Sequence, residues 1–144
     1  MPDIRLTDEE IRYATLFESM TGVTPIDVVI DNSYNRIIFV VGKSQAALAV
    51  GKGGNNVRML KQIIGKDVEV VEYADTPEEL IKNSLYPAKV IAVKVTKSPS
   101  GNLVAITTVA PSDKGIAIGK NGRNIAKAKL LAKRYYDVDR VVLA

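Results

Sequence analysis

One nine-residue segment occurs twice in this chain. Ala49-Val50-Gly51-Lys52-Gly53-Gly54-Asn55-Asn56-Val57 returns 68 residues later as Ala117-Ile118-Gly119-Lys120-Asn121-Gly122-Arg123-Asn124-Ile125. Five of the nine positions are identical, and the pairs Val50/Ile118 and Val57/Ile125 keep their apolar character. Lys61 and Lys129 match further on, and after a two-residue insertion Asp67-Val68 aligns with Asp137-Val138. Solenoid units run about 20–45 residues, so a period of this length points instead to two copies of one small domain. The expected boundary lies near 74–76, with a first domain at 1–75 and a second at 76–144. The 144 residues hold two such copies and little more.

Local patterning repeats with the motif. Thr7 and Glu10 form a T-x-x-E capping box, with Leu6 and Ile11 at the positions of a hydrophobic staple. They predict a helix over about 8–20, closed by Gly22 and Pro25. Residues 26–31 and the β-branched run 36–41 read as strands joined by the turn chemistry of Asn32-Ser33-Tyr34-Asn35. A short helix at about 44–50 follows, with Ser44 as its expected N-cap. Then come the Gly-rich turn 51–54, a helix over 55–64 with Gly65 as C-cap, and a strand at 68–73. The second copy has the same order. Thr76-Pro77-Glu78-Glu79 opens a helix that ends near Tyr86-Pro87. Strands are expected at 88–97 and 102–110, a short helix from Ser112, a turn at 119–122, a basic helix at 123–135 and a strand at 140–143. Each copy reads α-β-β-α-α-β, an α+β domain.

Composition narrows the chemistry. The chain has no cysteine and no histidine, which excludes thiol nucleophiles, disulfides, Cys/His zinc sites and every His-dependent triad. No cofactor or metal is expected. The acid clusters Asp8-Glu9-Glu10 and Glu78-Glu79 lie in first helical turns, where negative charge offsets the helix dipole, so they read as structural. The longest purely apolar runs, Ile37–Val41 and Ala46–Val50, have five residues, against about 20 for a membrane span. A chain without membrane contact, cytoplasmic and monomeric, is the expectation.

Charge is distributed unevenly. Residues 1–75 carry 8 Lys/Arg and 11 Asp/Glu, whereas residues 76–144 carry 12 and 5. A basic half points to a polyanionic partner. The surroundings of the two turns are more telling. Residues 43–66 hold five Lys/Arg and residues 114–134 hold seven, with no acid in either window. An otherwise acidic first copy therefore keeps its turn clear of carboxylates, as a contact to backbone phosphate requires. The turn itself suits an anion. Glycines permit special dihedrals and close approach, the following helix offers N–H donors and the positive end of its dipole, and Lys52 and Lys120 add charge.

These residues resemble the KH domain, whose GXXG loop clamps single-stranded nucleic acid. The element order resembles the type II arrangement, which implies a three-stranded mixed sheet with helices on one face. Two copies in tandem resemble the KH portion of the NusA transcription factors, and Ala49 to Arg58 is similar to their A-I-G-[KR]-G-G-x-N-V-R stretch. The resemblance spans about 7–143 and is like that of short archaeal NusA-like proteins. The polymerase-binding and S1 domains of the bacterial members do not fit into this sequence. The resemblance implies single-stranded RNA binding in transcription elongation or termination, with RNA polymerase as a candidate partner and no catalysis. Gly51, Lys52, Gly53 and Gly54 would clamp RNA in the first copy, and Gly119, Lys120, Asn121 and Gly122 in the second. Val50, Val57, Ile118 and Ile125 would line the apolar groove. Asn55, Arg58, Arg123 and Lys127 would add polar contacts. Asn56 and Asn124 either cap or bind.

Other readings fit less well. Gly42-Lys43-Ser44 mimics the end of a P-loop, but the glycine required five residues earlier is Ile37. Duplex reading by a helix-turn-helix would use the basic second helix, yet the doubled Gly-Lys-x-Gly after two strands is not its pattern. Two alternatives stay open: the same RNA chemistry used in rRNA processing or ribosome assembly, which the sequence fits equally, and a protein-interaction module in which the acidic first copy docks a partner.

Overall fold

The computed structural model describes residues 3–144. Met1 and Pro2, which open the expected first domain, lie outside the described residues. The chain divides into two compact units, one running to Tyr73 and one from Ala74 to Ala144. Each has the order α-β-β-α-α-β. The first contains α1 (Asp8–Thr21), β1 (Asp27–Asp31), β2 (Arg36–Val41), α2 (Ala46–Val50), α3 (Asn55–Ile64) and β3 (Asp67–Glu72). The second contains α4 (Pro77–Leu85), β4 (Val90–Lys97), β5 (Leu103–Val109), α5 (Lys114–Ile118), α6 (Arg123–Tyr136) and β6 (Arg140–Leu143).

Both sheets are mixed. β1 pairs antiparallel with β2, and β3 returns parallel to β2 with Ile37 opposite Val68. In the second unit β4 and β5 are antiparallel, and β6 lies parallel to β5 with Ala105 opposite Val141. The parallel step needs a crossover, and the two helices flanking the Gly turn supply it. They thereby fix the turn at the end of the sheet where β2 and β5 finish.

The first core forms where one face of β2 meets the helices. Phe17, Ile37, Phe39, Val41, Leu60 and Val68 are buried together, and the rings of Phe17 and Phe39 stack at 4.3 Å. Each fully buried side chain of this size stabilises the fold by about 1.5–3 kcal/mol. The alternate face of β2 carries Arg36, which is fully buried. Its guanidinium donates to Asp31 and Glu69, both at 2.8 Å, and lies 4.8 Å from the Tyr34 ring centroid. In the second unit Ile81, Leu85, Ala105, Ala128, Ala132 and Val141 form the main core. The Tyr136 hydroxyl donates to the Ala74 carbonyl, tying the end of α6 to the start of this unit.

Helix starts follow their expected chemistry in α1 and α4. Thr7 and Glu10 make both bonds of the capping box. Thr76 accepts from the Glu79 amide, while the Glu79 side chain faces Lys82 at 3.4 Å. Two sequence expectations need correction. Ser44 does not cap α2: it sits at φ 67, Gln45 holds the cap position, and the Ser44 amide donates to Glu72. The insertion in the second copy is four residues, not two, because α6 has 14 residues and α3 has 10. Gly65 and Asp137 are the left-handed C-caps of these helices. The ion pair Lys61–Asp67 recurs as Lys133–Asp139, so Asp67 corresponds to Asp139 rather than Asp137.

Asp139 is a clasp. One carboxylate oxygen accepts from Lys133 Nζ at 2.9 Å and the other from the Leu103 amide at 3.0 Å. The Lys133 hydrogen bond, then the Leu103 amide, hold its carboxyl below the usual carboxylate range, and Lys133 is raised in turn. The stability contributed by the lowered carboxyl is present above its unfolded value and is lost as pH falls through the folded one. That of the raised ammonium is lost as pH rises through its folded value. Thermal melts of Asp139→Ala should therefore differ most from wild type across neutral pH, with the gap narrowing toward acid and, as the Lys133 contribution is lost, toward alkaline pH. A difference independent of pH would contradict this account. Separately, Arg36→Ala strands two carboxylates, and urea denaturation should register a loss of about 3–5 kcal/mol.

Candidate nucleic-acid interface

The two turns have the same backbone. The first glycine of each, Gly51 and Gly119, has φ/ψ of 81/168 and 75/170, a region open only to glycine. A Cβ on Gly51 would lie 2.9 Å from the Asn56 side chain, and one on Gly119 would lie 2.9 Å from the Asn124 amide nitrogen. Dihedral and space thus both demand glycine here. The third position is left-handed in each copy, Gly53 at 61/21 and Asn121 at 56/26. Asparagine enters that region at small cost, and a Cβ on Gly53 meets nothing within 4 Å. The exchange of Gly for Asn between copies follows from this. Gly54 and Gly122 are left-handed as well, and their amides donate back to Gly51 and Gly119 at 3.0 and 3.1 Å.

The repeated asparagine makes the same structural bond in both units. Asn56 Nδ2 donates to the Leu48 carbonyl at 3.4 Å, and Asn124 Nδ2 donates to the Ile116 carbonyl at 2.9 Å. Each bond ties the start of the long helix to a carbonyl of the short helix that precedes it. A five-residue helix leaves most of its carbonyls without helical partners, so this bond also satisfies one of them.

Electrostatics separate these two long helices from α1 and α4. α1 and α4 begin with a threonine cap and acids in the first turn. α3 and α6 begin with neither a side-chain cap nor an acid in the first turn. Their positive ends face outward from a glycine turn, a setting that favours an external anion. Lys52, Gly53, Asn55, Lys120 and Asn121 are exposed, and Gly51, Gly54, Gly119, Gly122 and Arg123 are half-buried. Arg58 is exposed, and its guanidinium donates to the Gly53 carbonyl, which holds it against the turn. Lys127 departs from expectation. It is only 6% exposed and shares the buried stripe of α6 with Ala128, Leu131 and Ala132. It is therefore not a surface cation beside the turn.

The apolar positions also divide. Val57 and Ile125 pack against their cores, Val50 is half-buried, and Ile118 is 44% exposed. Sequence reasoning missed Leu48 and Ile116, exposed by 62% and 46% on the short helices. They occupy matching positions 68 residues apart, one residue before the repeat as first aligned, and extending that alignment finds them.

Doubled helix–glycine-turn–helix units on three-stranded mixed sheets define a tandem KH protein. Family models agree: residues 10–100 match the KH domain, and residues 77–142 match the NusA-like second KH domain. The probable transcription termination protein NusA of Halobacterium salinarum is 40% identical over 140 residues, covering 97% of this chain and 98% of that protein. The protein of the same description from Methanocaldococcus jannaschii is 30% identical, covering 98% and 75%. Among solved structures, the crystal structure of APE1850 superposes with a TM-score of 0.84 at 37% identity, over 96% of this chain and all of that one. The chain belongs to the NusA-like family of KH-domain proteins.

The two middle positions of the turn should tolerate change where the first does not. Gly53→Asn copies the second turn into the first and should leave the melting temperature close to wild type. Gly51→Ala and Gly119→Ala should each cost about 1–3 kcal/mol from backbone strain, before the clash with the asparagine is counted. Chemical denaturation of the three variants distinguishes them.

Proposed function

We propose that this chain is a single-stranded RNA-binding factor of transcription termination and elongation, and that its two glycine turns are the clamps. The observation that carries the reading is the repetition of the turn. Dihedrals, closing hydrogen bonds and asparagine clasp recur in both units, and both following helices lack internal caps and acids. Gly51, Lys52, Gly53 and Gly54, with Asn55 and Arg58, hold phosphates in the first unit. Gly119, Lys120, Asn121 and Gly122, with Arg123, do so in the second. Leu48, Val50, Ile116 and Ile118 offer apolar surface to bases beside each turn. Val57 and Ile125 support it from below. The names of the relatives favour transcription over ribosome assembly. RNA polymerase is the candidate protein partner, and the role is binding without a catalytic step.

Fluorescence anisotropy with random single-stranded RNA tests the clamps. Lys52→Asp/Gly53→Asp and Lys120→Asp/Asn121→Asp place carboxylates where phosphates would lie, at positions the fold leaves exposed. Each pair should weaken binding at least about tenfold, the equivalent of about 1.4 kcal/mol, with circular dichroism unchanged. The slope of log affinity against log salt should fall by about 0.7 for each phosphate that the variant no longer neutralises. A duplex should compete poorly. Wild-type affinity in both folded variants would remove the turns from the binding site.

A further inference from the structure

In the first unit the outward side of α3 opens into a basin of about 640 Å³ that the turn does not occupy. Arg58, Lys61 and Lys66 line it together with the amides of Asn35 and Gln62 and the carboxylate of Asp67. Lys61 Nζ lies 2.7 Å from Asp67 Oδ1, so the one acid is neutralised within the basin and an excess of two positive charges remains. The Lys61 side chain is still 58% exposed. The basin reaches the far end of the unit from the glycine turn. Its floor is where the Asp67 amide donates to the Asn35 carbonyl at 3.1 Å, beside the β1–β2 turn. Arg58 belongs to both places, because its guanidinium also donates to the Gly53 carbonyl. Cations therefore follow one another from Lys52 through Arg58 and Lys61 to Lys66, and no carboxylate interrupts the chain between 43 and 66.

The fold does not require this arrangement. At the matching end of α6, Asp137 stands for Gly65, Val138 for Lys66 and Asp139 for Asp67. Lys133, the counterpart of Lys61, lies 3.6 and 2.9 Å from the two carboxylates. Arg134 stands for Gln62, so the same place is charge-balanced in the more basic unit and carries a positive excess in the more acidic one. A set of cations held against the local charge balance, and lining a concavity with amide donors beside them, suits a backbone phosphate.

We propose that this basin is a second phosphate-binding site for single-stranded RNA, receiving the strand that leaves the Gly51–Gly54 turn along α3. The proposal rests on the clamp reading and extends it. A KH turn holds about four nucleotides, so a short oligonucleotide fills the clamp and a longer one also reaches the basin.

The test compares RNA of about 4 and about 12 nucleotides, using the full chain with Lys66→Ala and with Lys61→Ala/Lys66→Ala. Lys66→Ala leaves the Lys61–Asp67 pair in place, so it separates loss of charge from loss of that pair. The long RNA should bind the double variant several-fold to tenfold more weakly, with a salt slope lower by up to about 1.4 for two phosphates no longer neutralised. The short RNA should bind both variants as it binds wild type. Wild-type affinity for the long RNA in the double variant, with binding still weakened in the Lys52→Asp/Gly53→Asp protein, would overturn the basin and leave the clamp intact. An equal loss for short and long RNA would place the lysines in the clamp and also overturn the proposal. Failure of wild type to bind either RNA would refute the clamp, and the extension with it.

Discussion

The interface in each unit depends on a place where two helices come too close for any side chain. At Gly51 and Gly119 the backbone of one helix end meets the first turn of the next, and the asparagine five residues on bonds back across the gap. The contact sets the angle at which α3 and α6 leave the turn. It also forces the chain through a glycine-only conformation, after which the second and third residues are carried outward, away from the core. The lysine and the left-handed residue project for that reason. Their identity is free to vary within the limits of the left-handed region, whereas that of the first glycine is not.

The turn also favours one kind of partner, an anion. A helix that begins at a glycine has no capping side chain of its own, and the acid-free windows keep any nearby carboxylate from substituting for one. The open donors and the dipole act over a short range, and the lysines extend the attraction into solvent. Phosphate alone carries no sequence information. Selectivity would have to come from the apolar shoulder beside the turn, where Leu48 and Ile116 stand exposed on the short helices.

Much of this was legible in the residues. Strand positions followed from β-branched runs, and α1 and α4 were marked by caps that the structure makes. The doubled motif located both turns. What escaped has identifiable physical causes. Four extra residues in α6 add about 1.1 turns, so its apolar stripe stays nearly in phase and an alignment by motif does not register the insertion. Lys127 reads as a cation in sequence, but it falls on that stripe beside Leu131, and a long aliphatic stem can be buried where a short charged one cannot. Ser44 has the chemistry of a cap, yet its backbone is left-handed and its amide is committed to Glu72, a contact 28 residues away in sequence. The asparagines could not be assigned because their acceptor, a carbonyl of the preceding helix, comes within reach only once the glycine permits the close crossing.

Net charge is a poor guide to where a polyanion would sit on this chain. The second copy is the more basic, yet at the end of α6 its lysine is held between two aspartates. The first copy is acidic in sum, yet most of its carboxylates lie in the first turn of α1, around Arg36 and along β3, leaving α3 itself to cations. Charges committed to neighbours a few ångströms away contribute little field beyond them, while those clustered without opposition add at a distance. Segregating the acids into structural roles therefore lets an acidic domain present a cationic face. Duplication preserved the turn, where the backbone leaves little choice. It allowed the far end of the long helix to diverge, where only side-chain charge is at stake.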